Sequence, residues 1–142
     1  MTKDEEWRRF LTDAQEPVVA SLGAAVVAAV GKALLVVKPL VWSTHGEGGR
    51  TWRALALTDR FVVIAQLSMG DVDVLNTTVS VVPLAQVTEL RWAIQTRRAW
   101  TEQFSTLVTL TSGASTVTLP PTYRTHLTSD ELAWVQALSE RI

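Results

Sequence analysis

The chain has 142 residues, with 13 Lys plus Arg against 14 Asp plus Glu, two His and no Cys. That length suits one domain with a core large enough to fold without a metal or disulfide staple, and the missing Cys excludes disulfides, a thiol nucleophile and thiolate-bound zinc or iron–sulfur clusters. A formal net charge of −1 argues against a general nucleic-acid binder, which is usually strongly basic.

Hydrophobic content of 47% with 19% charged residues belongs to a globular chain. Its 19 Val and 18 Thr are β-branched and favour a pleated, half-buried surface. Thr2 to Gln15 reads as an amphipathic helix. Thr2 and Glu5 have capping-box spacing, Trp7, Phe10, Leu11 and Ala14 fall on one face, and Pro17 closes the segment. The acidic start, with Asp4, Glu5 and Glu6, lacks the basic-then-apolar pattern of a secretory signal and reads as cytoplasmic.

Val18 to Val37 carries a single charge, Lys32. Val pairs at 18–19, 26–27 and 36–37 favour one or two core strands, because buried strands read as continuous apolar runs. A buried helix or a bilayer span stays open, since periodicity cannot separate them here. Ala33 to Thr44 is the next strand expectation, followed by a glycine-rich turn from His45 to Arg50. Thr51–Leu57 and Arg60–Leu67 flank a short polar link and predict a hairpin. Ser68 to Asp73 is a further turn.

Val79 to Leu84 is strand-like, with Pro83 marking an edge or a strand end. Val87 to Gln95 alternates cleanly: Leu90, Trp92 and Ile94 define the expected buried face, and Glu89, Arg91 and Gln95 the wet one. Thr96 to Gln103 is expected to be a polar hairpin tip. Phe104–Thr111 and Ala114–Leu119 then form a second hairpin around Ser112-Gly113, and Pro120-Pro121 ends the sheet region. Thr128 and Glu131 set a capping box for a last helix. Leu127 and Leu132 form its staple, and Leu132, Val135, Leu138 and Ile142 form its apolar stripe, with Trp134 at the margin.

Three stretches together resemble bacterial pleckstrin-homology-like domains. They are Leu55-Ala56-Leu57-Thr58-Asp59-Arg60-Phe61-Val62-Val63-Ile64, Val82-Pro83-Leu84-Ala85-Gln86-Val87-Thr88-Glu89-Leu90, and the closing helix with Trp134. The resemblance covers Val18 to Ile142 and rests on short motifs of common residues. It implies a mainly β, α+β fold: a bent antiparallel barrel capped by a C-terminal helix; the long Val18–Val37 run and an extra N-terminal helix depart from the minimal family pattern. Residues 1–16 would be that helix and 17–142 a single PH-like domain. It also implies binding or assembly, with no catalysis and no cofactor. Eukaryotic members bind phosphoinositides through basic residues between the first two strands; here that loop would hold only Lys32 beside Gly31, so the lipid role carries over poorly.

Arg97, Arg98 and Trp100, with Arg91 nearby, are the leading ligand or partner site, because guanidinium forks bind phosphate or carboxylate and an indole suits an interface. The bland alternative is a solvated hairpin tip. Trp7, Phe10 and Leu11 would pack on the domain itself or on another subunit. His45, Glu47 and His126 match no metal spacing, and no metal is expected. Neither a nucleophile elbow nor a Gly-Lys-Ser/Thr phosphate loop is present. The expectation is therefore a non-enzymatic module for protein interaction or self-association, with an anionic membrane surface as a second setting. The rivals are a protein anchored in the bilayer by residues 18–37 and an enzyme of unrecognised type.

Overall fold

The computed structural model describes every residue except 47–48, 70–74, 99–101, 114 and 122–125. Side chains at 46, 75, 94–98 and 102–107 also lie outside the description. Among the described residues there are three α-helices and seven strands, in the order α1, α2, β1 to β7, α3. The strands form two antiparallel sheets, ordered β1-β2-β3-β4 and β5-β6-β7. The chain is mainly β, as expected, but the barrel is not closed. The break falls where β4 ends at Pro83, which cannot donate to a ladder, and a 3₁₀ turn at Leu84–Gln86 follows. The chain divides into two compact units, Met1–Pro83 and Leu84–Ile142.

In the first unit, α1 spans Lys3–Thr12 and begins with the expected capping box between Thr2 and Glu5. α2 spans Pro17–Val30, so the strand reading of this run is overturned. Pro17 opens α2 at its first turn instead of closing α1, where its missing N–H leaves no bond unmade. The Val pairs misled because the helix is apolar around most of its circumference, which hides the 3.6-residue contrast. At 14 residues α2 is about 21 Å long, short of the ~30 Å hydrocarbon core. No helix among the described residues is long and apolar enough to cross a membrane.

The strands of this unit are β1 (Leu40–Gly46), β2 (Gly49–Leu57), β3 (Phe61–Met69) and β4 (Leu75–Pro83). β1 is shorter than expected, because residues 33–39 run irregularly with only Leu35 bridged to Thr58. The predicted β2–β3 hairpin is present, with Leu57 opposite Val62. Leu22, Val26 and Val30 of α2 pack with Ala54 and Ala56 of β2 and Val63 of β3. Small residues on β2 leave room for the helix. The alternate positions Leu55, Leu57 and Val62 are buried too, so this end of the sheet is apolar on both faces.

In a tight turn such as β2–β3 an Asp commonly bonds its own backbone. Instead the Thr58 hydroxyl accepts from the Arg60 and Phe61 N–H groups at 3.1 and 2.9 Å. Asp59 Oδ1 accepts from the Leu34 N–H at 3.1 Å. Thr58 is fully buried, which suits a hydroxyl with all its bonds made locally.

In the second unit β5 (Val87–Arg98), β6 (Glu102–Ser112) and β7 (Ser115–Leu119) form a meander. Both hairpins predicted here are found, but the first is longer than expected: Thr96–Arg98 and Glu102–Gln103 are ladder residues. The second turns one residue later, with Ser112 opposite Ser115. α3 spans Ser129–Ser139 and keeps its Thr128–Glu131 capping box. Its buried stripe is Glu131, Trp134, Val135 and Leu138, while Leu132 and Ile142 are exposed. The expected stripe is thus rotated. Glu131 folds its carboxylate back onto the Thr128 N–H at 2.8 Å and can enter the buried face, so Trp134 stands inside the stripe and not at its margin.

Candidate functional site

Arg91 lies exposed on β5, and its Nε donates to Glu89 Oε1 at 2.6 Å. Both side chains are well solvated, at 69% and 45% exposure, so the pair contributes little to stability. Arg97 and Arg98 stand opposite Gln103 and Glu102 in the ladder. Their backbone is therefore part of a strand, a correction to the loop expected there. Their side chains, and Trp100 altogether, lie outside the described residues. Arg97 is six steps along the strand from Arg91, about 20 Å at ~3.4 Å each. Arg91 is not brought to the hairpin tip.

The expected buried face of β5 is only partly so. Leu90 is half-buried and Trp92 is 46% exposed, although Val108 opposite it is buried. β5 is the outer strand of its sheet, so Trp92 has a ladder neighbour on one side only. Ile94 falls outside the described side chains. The wet face is as expected for Glu89 and Arg91.

The N-terminal helix divides its aromatic face. Leu11 is buried in the core of the first unit, and Trp7 packs against that core. Phe10 remains 45% exposed, with the Lys38 ammonium 4.7 Å from its ring centre. Such a cation–π contact at an exposed site contributes about 0.5–1 kcal/mol. Two of the three residues are therefore occupied within the chain.

The sequence reading missed a polar clamp around the first turn of α1. Asp4 Oδ1 accepts from the Leu35 N–H at 2.9 Å, and Asp4 Oδ2 accepts from Arg8 Nε at 2.9 Å. Arg8 Nη2 donates to the carbonyls of Gly31 and Ala33 at 2.9 and 2.6 Å. Leu34 in turn donates to Asp59, whose own N–H returns to the Leu34 carbonyl at 3.1 Å. One ion pair thus joins α1, the segment after α2 and the β2–β3 turn. The only available signal was the helical i,i+4 spacing of Asp4 and Arg8.

His45 and His126 are exposed, and Glu47 lies outside the described residues. Among the described residues no group of three or more His, Cys, Asp or Glu could hold a metal ion. Arg50 stacks its guanidinium 4.9 Å from the Trp52 ring centre and donates to Ser43 Oγ at 3.1 Å, bracing β1 against β2. The polar groups described here form structural contacts or face solvent. No protein-family model, curated protein or solved structure matches this chain.

Proposed function

We propose that the chain is a non-catalytic binding and assembly module of pleckstrin-homology-like type, acting through protein–protein contact. The supporting observation is the element order. The resemblance implies several antiparallel strands followed by one terminal helix, and here two antiparallel sheets of four and three strands precede a box-capped helix. The motif stretches fall at corresponding places: Leu55 to Ile64 makes the β2–β3 hairpin, and Val82 to Leu90 makes the passage from β4 to β5. The polar side chains engaged in networks brace backbone. Asp4, Arg8 and Asp59 are committed to main-chain groups, which suits a scaffold more than a reaction centre.

The test is the native size of the chain in an extract of cells producing it from its own gene. In this reading it migrates above its own 15.6 kDa mass, in an assembly that survives removal of membranes. A species of single-chain mass refutes the assembly role. Flotation with phosphatidylglycerol vesicles, without any protein assembly, would replace it with a membrane-surface role.

A further inference from the structure

Sheet edges offer free N–H and C=O groups to other chains, and proteins ordinarily protect them with charge, proline, bulges or short strands. Two of the four edges among the described residues carry such protection within the strand. β1 is uncharged and unbroken against β2 but only seven residues long, and the chain before it is interrupted at Lys38-Pro39, between the Leu35–Thr58 bridge and the Leu40–Leu55 pair. β5 has a register shift between Val87 and Glu89 and holds Glu89, Arg91, Arg97 and Arg98. β7 is five residues long. β4 differs. It runs nine residues in unbroken register with β3, and the sequence holds no charged residue from Val74 to Thr88.

The direction of its free groups follows from the β2–β3 turn. Phe61 donates its N–H to the Thr58 hydroxyl and accepts from the Thr58 N–H with its carbonyl, so both groups face β2. Antiparallel ladders alternate, so Val62 faces β4 and exchanges bonds with Val82. The same holds for Ile64 with Ser80, Gln66 with Thr78 and Ser68 with Asn76. The main-chain groups of Thr77, Val79 and Val81 therefore point away from the sheet. Pro83 falls on the same outward set, where its missing N–H interrupts nothing in β3–β4. Thr77 is exposed and Val81 is 48% exposed.

We propose that this edge pairs with the β4 of a second copy, antiparallel and two-fold symmetric about Val79. The inference rests on the assembly reading above and names its surface. Val79 then meets its own counterpart, and Thr77 exchanges both bonds with Val81 of the second copy. Such an isologous contact requires a self-complementary strand. An uncharged one qualifies, because a charge near the two-fold would confront its own copy. The result is a continuous eight-stranded sheet built from two four-stranded ones.

The experiment is size-exclusion chromatography with light scattering on the purified full chain. Wild type is expected at twice the 15.6 kDa chain mass. Thr77→Pro removes an outward donor from each copy and leaves the β3-facing groups of Asn76 and Thr78 intact, so the dissociation constant rises by about tenfold or more. Val81→Lys places like charges along the seam without touching the main chain and has the same effect. Both variants keep the melting temperature that the wild type shows at concentrations low enough to be monomeric, and Thr118→Lys on β7 stays dimeric. A monomeric wild type at high micromolar concentration overturns the proposal. So does a dimer that resists both β4 variants. If the purified chain is monomeric while the extract holds a larger assembly, β4 self-pairing fails and the broader assembly reading stands.

Discussion

Gly23 is the position at which one methyl group should undo the packing of α1. A Cβ built there would lie 1.7 Å from the Leu11 carbonyl oxygen and 2.4 Å from its carbonyl carbon. Both are main-chain atoms, so no side chain can rotate away. Ordinary contact between these atom types is about 3.2–3.5 Å, so α1 would have to retreat by about 1.5 Å or more. In the middle of an exposed helix, Gly→Ala would stabilise by about 1 kcal/mol. Here that gain is outweighed. Overpacking costs about 1–3 kcal/mol, and partial exposure of Leu11 costs up to about 2 kcal/mol more. Retreat of α1 also stretches the bonds from Asp4 and Arg8 to residues 31–35. The net expectation for Gly23→Ala is a loss of about 2–4 kcal/mol. At ~3 °C per kcal/mol for a chain of this size, melting falls by about 6–12 °C. Thermal and urea unfolding by circular dichroism measures it. Ala24→Gly is the control: Ala24 is exposed on α2, and the change should cost only the propensity difference, about 1 kcal/mol. A Gly23→Ala protein as stable as wild type, or more so, would refute a main-chain crossing at this point.

Asp4→Ala should destabilise by about 1–2 kcal/mol, since it leaves the Leu35 N–H and the Arg8 Nε without their acceptor. Asp4→Asn should recover part of that loss, and a double-mutant cycle with Arg8→Ala should show coupling; strict additivity would mean the clamp is idle. Thr58→Val should cost about 2–3 kcal/mol in urea unfolding, because two turn N–H groups lose the buried hydroxyl that receives them, whereas Thr58→Ser should stay close to wild type. Arg97→Glu combined with Arg98→Glu should weaken binding to anionic vesicles or an acidic partner with nearly unchanged melting; a large loss of stability would instead mean that these arginines are structural.

Local chemistry was readable wherever neighbours in sequence are also neighbours in space. Both capping boxes satisfy backbone donors within one turn, and Thr2–Glu5 and Thr128–Glu131 appear in the structure as the spacing predicts. The hairpins were equally legible, since alternation and a short polar link define them before any distant contact forms. Within the candidate region, the exposure of Arg91 and Glu89 followed from β5 alternation. The Asp4–Arg8 clamp did not, because its acceptors and donors are main-chain groups of residues 31–35, which carry no mark in the sequence.

The alternation and capping patterns alone determined a mainly antiparallel chain bounded by helices, because those signals come from interactions a few residues apart. Tertiary structure decided what local patterns leave degenerate. It made Pro17–Val30 a helix by laying it on β2 and β3. It turned Trp134 inward and Leu132 outward, and exposed Trp92 by placing β5 at the rim of its sheet. It required Gly at position 23 because α1 crosses there with main chain against main chain. An apolar residue carries no label for which partner will cover it, and only the arrangement of the other elements supplies one.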